Sequence, residues 1–217
     1  MSANASTPLY ERILPPNPLR STGIAFARAE DVEQLIRVDF VGRGGLFFDP
    51  EHGHLQNARI GVLWASSTHR DKGSVKAGTA QLVKPYDAQP SKWGEAMQMA
   101  SLRQFFGEHE WPHFRITLHA PTCARQDDRE FFGLVDHEVT HCATAKDEWG
   151  APRFSDATGL PVWSIRPHDH EGFAGTTERW GAISTGAAGI VQAGTKRARF
   201  AWVPGRDLDF SKACGTV

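Results

Sequence analysis

The stretch LVDHEVTHCA at residues 134–143 contains the pattern His-Glu-x-x-His, whose residue types and spacing suit a catalytic metal ion. His137 and His141 are four residues apart, so on an α-helix they lie one above the other and can bind one zinc ion. Glu138 follows the first histidine, where it can act as general base on a water molecule. Composition alone predicts about 0.025 such matches in this chain, so the motif is informative but not decisive.

The helix that must carry this motif has separate apolar and histidine faces. Residues 127–145 predict a helix with Asp127 or Asp128 as its N-cap. Its apolar stripe, at spacings of three and four, consists of Phe131, Val135, Val139 and Cys142. At about 100° per residue, both histidines project away from this stripe, where a cleft can lie. We therefore expect Cys142 to pack in the core.

A catalytic zinc site also needs a third protein ligand. The compact HExxHxxGxxH pattern is absent, because Asp147 stands where its third histidine would be. The next candidates lie 27 to 30 residues after His141, and they are His168, His170 and Glu171. Residues 168–181 predict a second helix. If Asp169 caps it, His168 lies just before the helix and can reach the metal, while His170 and Glu171 stay open as alternatives.

The remaining segments must supply the scaffold. Helices are predicted over 30–40 and from Ser91, a candidate N-cap, to residue 110. The apolar face of the second of these is expected to contain Trp93, Met97, Ala100 and Leu102. Strands are predicted at 58–67, 75–86 and 113–120, the first two as a hairpin. The third alternates apolar and polar residues, as a half-buried strand does. This order predicts an α+β domain.

The domain boundaries follow from composition. Residues 1–22 are rich in proline and small polar residues and predict an extended lead-in. Residues 23–182 form the expected domain, in which 147–167 is a long loop. Residues 183–217 form a C-terminal extension that is first rich in glycine and alanine.

Four segments, in this order, resemble the putative phage metallopeptidase family. They are ARIGVLWA (58–65), HFRITLHA (113–120), GLVDHEVTHC (133–142) and PHDHEGFAGTTERWG (167–181). The resemblance covers roughly residues 54–182. It implies a small zincin-like domain, with a short mostly antiparallel sheet, an HExxH helix and a downstream ligand helix. It also implies a zinc-dependent peptidase, often encoded by a phage or prophage.

On the family's pattern, His137 and His141 match the first two ligands and Glu138 the general base. His168 matches the leading histidine of the family's HDVEEF helix. The sequence departs from that pattern at His170, where the family usually has an apolar residue, and at Gly172, which is usually acidic. A weaker resemblance to SprT-like proteases indicates the same architecture.

The sequence therefore predicts a zinc metallopeptidase in which a zinc-activated water, deprotonated by Glu138, hydrolyses a peptide bond. The substrate is expected to lie extended beside an edge strand, for which 113–120 is one candidate. The alternative is a non-catalytic zinc-stabilised binding or assembly module, closed by four ligands that include His170. Such a site has no need of Glu138, which favours catalysis.

Other residues have less specific signals. Arg166, His170 or Tyr86 could stabilise a transition state, and Asp136 or Asp156 could orient a ligand, but ordinary surface or packing roles are favoured for them. His52 and His54 have a metal-like spacing but lie in a loop with no evident partners.

The composition is typical of a globular protein in the cytoplasm, which would be that of a host cell if a phage encodes the chain. The net charge of −1 gives no general attraction to nucleic acid or membranes, and no apolar run could span a bilayer. Three dispersed cysteines are expected to be reduced. The basic and aromatic tail at 195–206 could contact nucleic acid, although a terminal strand with a solvated face is favoured.

Overall fold

The computed structural model describes residues 12–21, 23–71, 74–168 and 188–196. These fall into two units, one extending to Ile165 and one beginning at Arg166, and each is described by itself. Of the second unit, the description covers residues 166–168 and 188–196, which include a short helix, Ala188–Gly194. No helix within these described ranges is long and apolar enough to cross a membrane.

A four-stranded sheet forms the centre of the first unit. The first six strands of this unit, of which four belong to the sheet, are in chain order β1 (Phe26–Arg28), β2 (Ile60–Ala65), β3 (Arg70–Asp71), β4 (Ser74–Val75), β5 (Gly78–Leu82) and β6 (Phe114–His119). The sheet order is β1–β2–β6–β5, with β2 and β6 parallel and the two outer pairings antiparallel. Strands β3 and β4 form a separate two-stranded ribbon. The predicted α+β class with a short, mostly antiparallel sheet is confirmed.

The predicted hairpin between 58–67 and 75–86 is wrong, because β6 lies between β2 and β5. Five of the six residues of β2 are buried, so this strand needs a neighbour on each side, and it takes β1 and β6. The chain reverses instead in the β3–β4 ribbon, and β5 then pairs with the far side of β6. The expectation that 113–120 is an edge strand is wrong for the same reason, since the described sheet ends at β5.

The core lies between the sheet and the helix that carries the HExxH motif. Phe114, Ile116 and Leu118 of β6 are completely buried, which confirms the predicted alternation. Trp64 of β2 stacks on Phe131, with ring centroids 6.2 Å apart. Each such apolar side chain contributes about 1.5–3 kcal/mol when it is fully buried.

Two helices precede the motif helix. Helix α1 (Glu30–Leu35) continues as a π-helical turn, Ile36–Phe40, as the pattern over 30–40 predicts. Helix α2 (Trp93–Phe106) begins after Lys92, so the prediction that Ser91 is the N-cap is wrong. The Ser91 amide and hydroxyl both donate to the Glu95 carboxylate, at 2.6 and 3.1 Å.

The predicted apolar face of α2 is also partly wrong. Trp93 is 91% and Met97 72% exposed, whereas Met99, Leu102 and Phe106 are buried. The buried residues pack with Leu63 of β2 and with Trp111, which follows α2. Apolar residues occur on more than one side of this helix, so its spacing alone does not select the buried face.

Candidate metal centre

Helix α4 (Asp128–His141), which follows the short helix α3 (Ala120–Cys123), carries the HExxH motif and begins with a capping box. The Asp127 carboxylate accepts the Glu130 amide hydrogen at 2.9 Å, and the Glu130 carboxylate accepts that of Asp127 at 3.0 Å. Two amide groups that would otherwise have no partner within the helix are thereby satisfied. The structure thus selects Asp127 from the two predicted caps.

The apolar stripe of α4 is buried as predicted. None of the predicted members is more than 1% exposed: Phe131, Val135 and Val139 on α4, and Cys142 directly after it. The helix ends at His141, so the predicted end at residue 145 is wrong. The Cys142 thiol lies 3.6 Å from the Glu138 carbonyl oxygen, and burial raises its pKa well above the usual range. Cys142 is therefore a packing residue. The stripe fixes the rotation of α4, which leaves His137 and His141 only partly buried on another face.

The two histidines are arranged as ligands of one metal ion would be. Their Nε2 atoms lie 3.2 Å apart, and the rings are nearly perpendicular at 87°. Two nitrogens bound to one tetrahedral zinc at the usual bond length lie about 3.3 Å apart. The separation of the two Nε2 atoms is therefore compatible with one metal ion bound between them.

His168 follows a β-ribbon that begins at the end of α4. Strand β7 (Cys142–Thr144) starts directly after His141 and pairs antiparallel with β8 (Trp163–Ile165), which ends three residues before His168. One nitrogen from each of the three histidines lies within 4.8 Å of the others. Three such ligands leave the fourth position of a tetrahedral zinc ion for water or substrate. The alternatives His170 and Glu171, and the predicted helix 168–181 beyond its first residue, lie outside the described residues.

The β7–β8 ribbon lies partly within the segment that the sequence predicts to be a loop. Single bridges, Lys146–Pro152 and Phe154–Pro161, extend the pairing into the connection between the two strands. The prolines and glycines of this segment hide its strand character, because they favour turns.

Glu138 lies in a nearly closed position beside the histidines. It is only 3% exposed, and among the described residues no group hydrogen-bonds to its Oε2 atom. Burial raises the pKa of the Glu138 carboxyl to about 8, and the positive charge of Lys76 opposes this effect. A carboxyl group whose pKa is near neutral can take up and return a proton at physiological pH. A cation bound by the neighbouring histidines would lower this pKa.

Gly78, the first residue of β5, makes room for Glu138. A Cβ atom at this position would lie 2.6 Å from Glu138 Oε1 and 3.0 Å from Cδ and Cγ. Any side chain here would therefore displace the carboxylate. Gly78 is not among the site residues that the sequence predicts, although a glycine in a predicted strand is a signal of close approach.

Three of the residues with less specific sequence signals lie in the described part of the chain at Tyr86, Asp136 and Asp156. Tyr86 packs edge-on against Trp111, with centroids 5.1 Å apart, and the Arg103 guanidinium lies 4.8 Å above its ring. This agrees with the favoured packing role. Asp156 is exposed. Asp136 faces the buried His52, whose Nε2 is 3.8 Å from its carboxylate.

The fold and the site together define a small α+β protein with three histidines placed to hold a metal ion. The model of the putative phage metallopeptidase family matches residues 25–199, and the chain belongs to this family. No curated protein and no solved structure matches the chain.

Proposed function

We propose that this protein is a zinc-dependent peptidase, encoded by a phage or prophage. His137, His141 and His168 hold the ion, and Glu138 is the general base. The observation that carries the proposal is the 3.2 Å separation of the two Nε2 atoms. They lie on the same helix as a buried carboxylate whose Oε2 atom has no hydrogen-bond partner among the described residues. Histidine nitrogens are ligands that zinc prefers, and the family description supports a metal-dependent peptidase.

The ion and Glu138 have separate roles in the proposed reaction. Zinc, when bound, supplies a Lewis acid that polarises a peptide carbonyl and promotes the ionisation of water. Glu138 accepts a proton from the attacking water while a C–O bond forms at the carbonyl carbon. It then transfers this proton to the amide nitrogen as the C–N bond breaks. The apolar surroundings of Glu138 exclude water that would otherwise stabilise its charge, so the carboxylate is a stronger base towards the attacking water.

The substrate is proposed to be an extended peptide lying along β5. This strand forms the end of the described sheet, and its first residue, Gly78, lies against Glu138. A peptide that extended the sheet from β5 through main-chain hydrogen bonds would lie beside the strand whose first residue contacts Glu138. Main-chain pairing fixes the path of the scissile bond and leaves side-chain preference to the surrounding surface.

Hydrolysis of a denatured protein by the zinc-loaded chain tests the proposal. We expect cleavage by the wild type, inhibition by a chelator, and recovery when zinc is returned. Glu138→Gln should retain zinc but lose hydrolysis by about 100-fold or more, because the general base is removed. His109→Ala, an exposed histidine after α2, is the matched control and should cleave normally. Full activity in zinc-loaded Glu138→Gln would refute the assigned mechanism.

A further inference from the structure

His52 and His54 lie on a short 3-10 helix, Pro50–Leu55, that contacts the end of α4. Neither belongs to the group of described residues that could hold a metal. His52 is only 4% exposed, and its Nε2 atom lies 3.3 Å from the Thr140 hydroxyl. Burying a polar ring is unfavourable unless the ring has hydrogen-bond partners. The contact of the buried His52 ring with Thr140 is therefore expected to have a structural or functional role.

The direction of the His52 contact follows from the hydrogen bonds of Thr140. The Thr140 hydroxyl donates to the Asp136 carbonyl oxygen at 2.8 Å, so its own proton is committed. It can therefore accept a hydrogen from His52 Nε2, which assigns that proton to the ring. His52 thus contacts the residue directly before the ligand His141.

His54 contacts the residue directly after the same ligand. Its Nε2 lies 3.0 Å from the Cys142 carbonyl oxygen, and its Nδ1 lies 2.7 Å from that of Glu51. Carbonyl oxygens only accept, so the ring nitrogen must be the donor in each bond. A ring that carries one N–H forms one of these two bonds, and a ring with a hydrogen on both nitrogens forms both. Cys142 is the C-cap residue of α4, and carbonyl groups at a helix C-terminus have no partner within the helix.

These contacts matter because His141 is the last residue of α4. Helix ends fray, so a ligand at this position is not held by the helix alone. Thr140 and Cys142 flank it, and each is held by a histidine of the 3-10 helix. The two contacts restrict the backbone from which the His141 ring extends.

We propose that His52 and His54 are positioning residues for the metal centre, which act through Thr140 and Cys142 to fix His141. The inference rests on the proposed zinc site. Outer contacts of this kind strengthen metal binding because the ligand loses less freedom when the ion binds.

The test is the zinc dissociation constant, measured by competition with a chelator. The primary variant is His54→Ala, since His54 is exposed and its removal leaves no cavity. We expect zinc binding about tenfold weaker. His54→Gln, whose amide can still donate to the Cys142 carbonyl, should recover most of the affinity, and His109→Ala should not change it.

A role in folding alone is distinguished by urea unfolding of the metal-free proteins. Such a role would lower the stability of His54→Ala but leave the zinc affinity of the folded protein unchanged, and that result would overturn the inference. A cobalt-substituted wild type and variant provide a second readout, since displacement of His141 would change the visible absorption of the ion. Absence of zinc from the wild type would instead overturn the proposed function, and this inference with it.

Discussion

Glu138 should destabilise the metal-free fold at neutral pH, and Glu138→Gln should remove this effect. Burial raises the pKa of this carboxyl from 4.5 to about 8 in the folded protein. The folded state therefore binds the proton more tightly than the unfolded state does. The resulting stabilisation is fully present below pH 4.5 and is lost as the pH rises through 8.

The magnitude follows from this difference in pKa. Each pH unit between the two values changes the free energy of unfolding by about 1.4 kcal/mol. Between pH 5 and pH 7, Glu138 should therefore remove on the order of 2–3 kcal/mol from the stability of the metal-free wild type. Glutamine stays neutral throughout this range, so the variant should lack this contribution.

Urea unfolding at pH 5 and pH 7, with a chelator present, measures the effect. The stability of Glu138→Gln minus that of the wild type should increase by about 2–3 kcal/mol between the two pH values. Glu148→Gln, at an exposed glutamate after β7, controls for the loss of one carboxylate. Equal pH dependence in Glu138→Gln and the wild type would refute the reasoning that burial makes Glu138 retain its proton.

Three other variants test the scaffold around the site. Gly78→Ala should reduce peptide hydrolysis at least tenfold, because the new Cβ would displace Glu138. Gly94→Ala, where no atom lies near the added Cβ, is the control and should keep its activity. Equal activities of the two variants would contradict this reasoning. Asp127→Ala should lower the free energy of unfolding by about 1 kcal/mol in urea through loss of the capping box, and no change would show that the cap is dispensable. Phe131→Ala should lower it by about 3–5 kcal/mol, and a change below 1 kcal/mol would contradict tight packing against the sheet.

Helix α4 could be predicted from the sequence because its determinants are local. The capping residues Asp127 and Glu130 are three residues apart, and the buried stripe and the two histidines follow the helical period. Each of these features depends only on residues within one or two helical turns of one another. The identity of the helix, its start and its buried face are therefore all confirmed.

The order of the strands could not be predicted in the same way. The placement of β6 between β2 and β5 depends on pairings between residues that are distant in the chain, such as Val62 with Ile116. Nothing within either segment specifies this partner. The prediction that 113–120 is the edge strand for the substrate is wrong for this reason. The closeness of Gly78 to Glu138 likewise depends on the position of β5 in the fold.

The contacts of His52 with Thr140 and of His54 with Cys142 could not be predicted, because each joins residues 88 positions apart in the chain. A loop histidine carries no sequence signal that distinguishes a surface position from a contact with a helix end.

The zinc content of the purified protein, measured by mass spectrometry, tests the central claim most directly. An open three-histidine site predicts one zinc ion per chain in the wild type, in Glu138→Gln and in His170→Ala. The ion should be lost in His137→Ala and in His168→Ala. Loss in His170→Ala as well would indicate a closed structural site, and no zinc in the wild type after zinc is supplied would contradict the account.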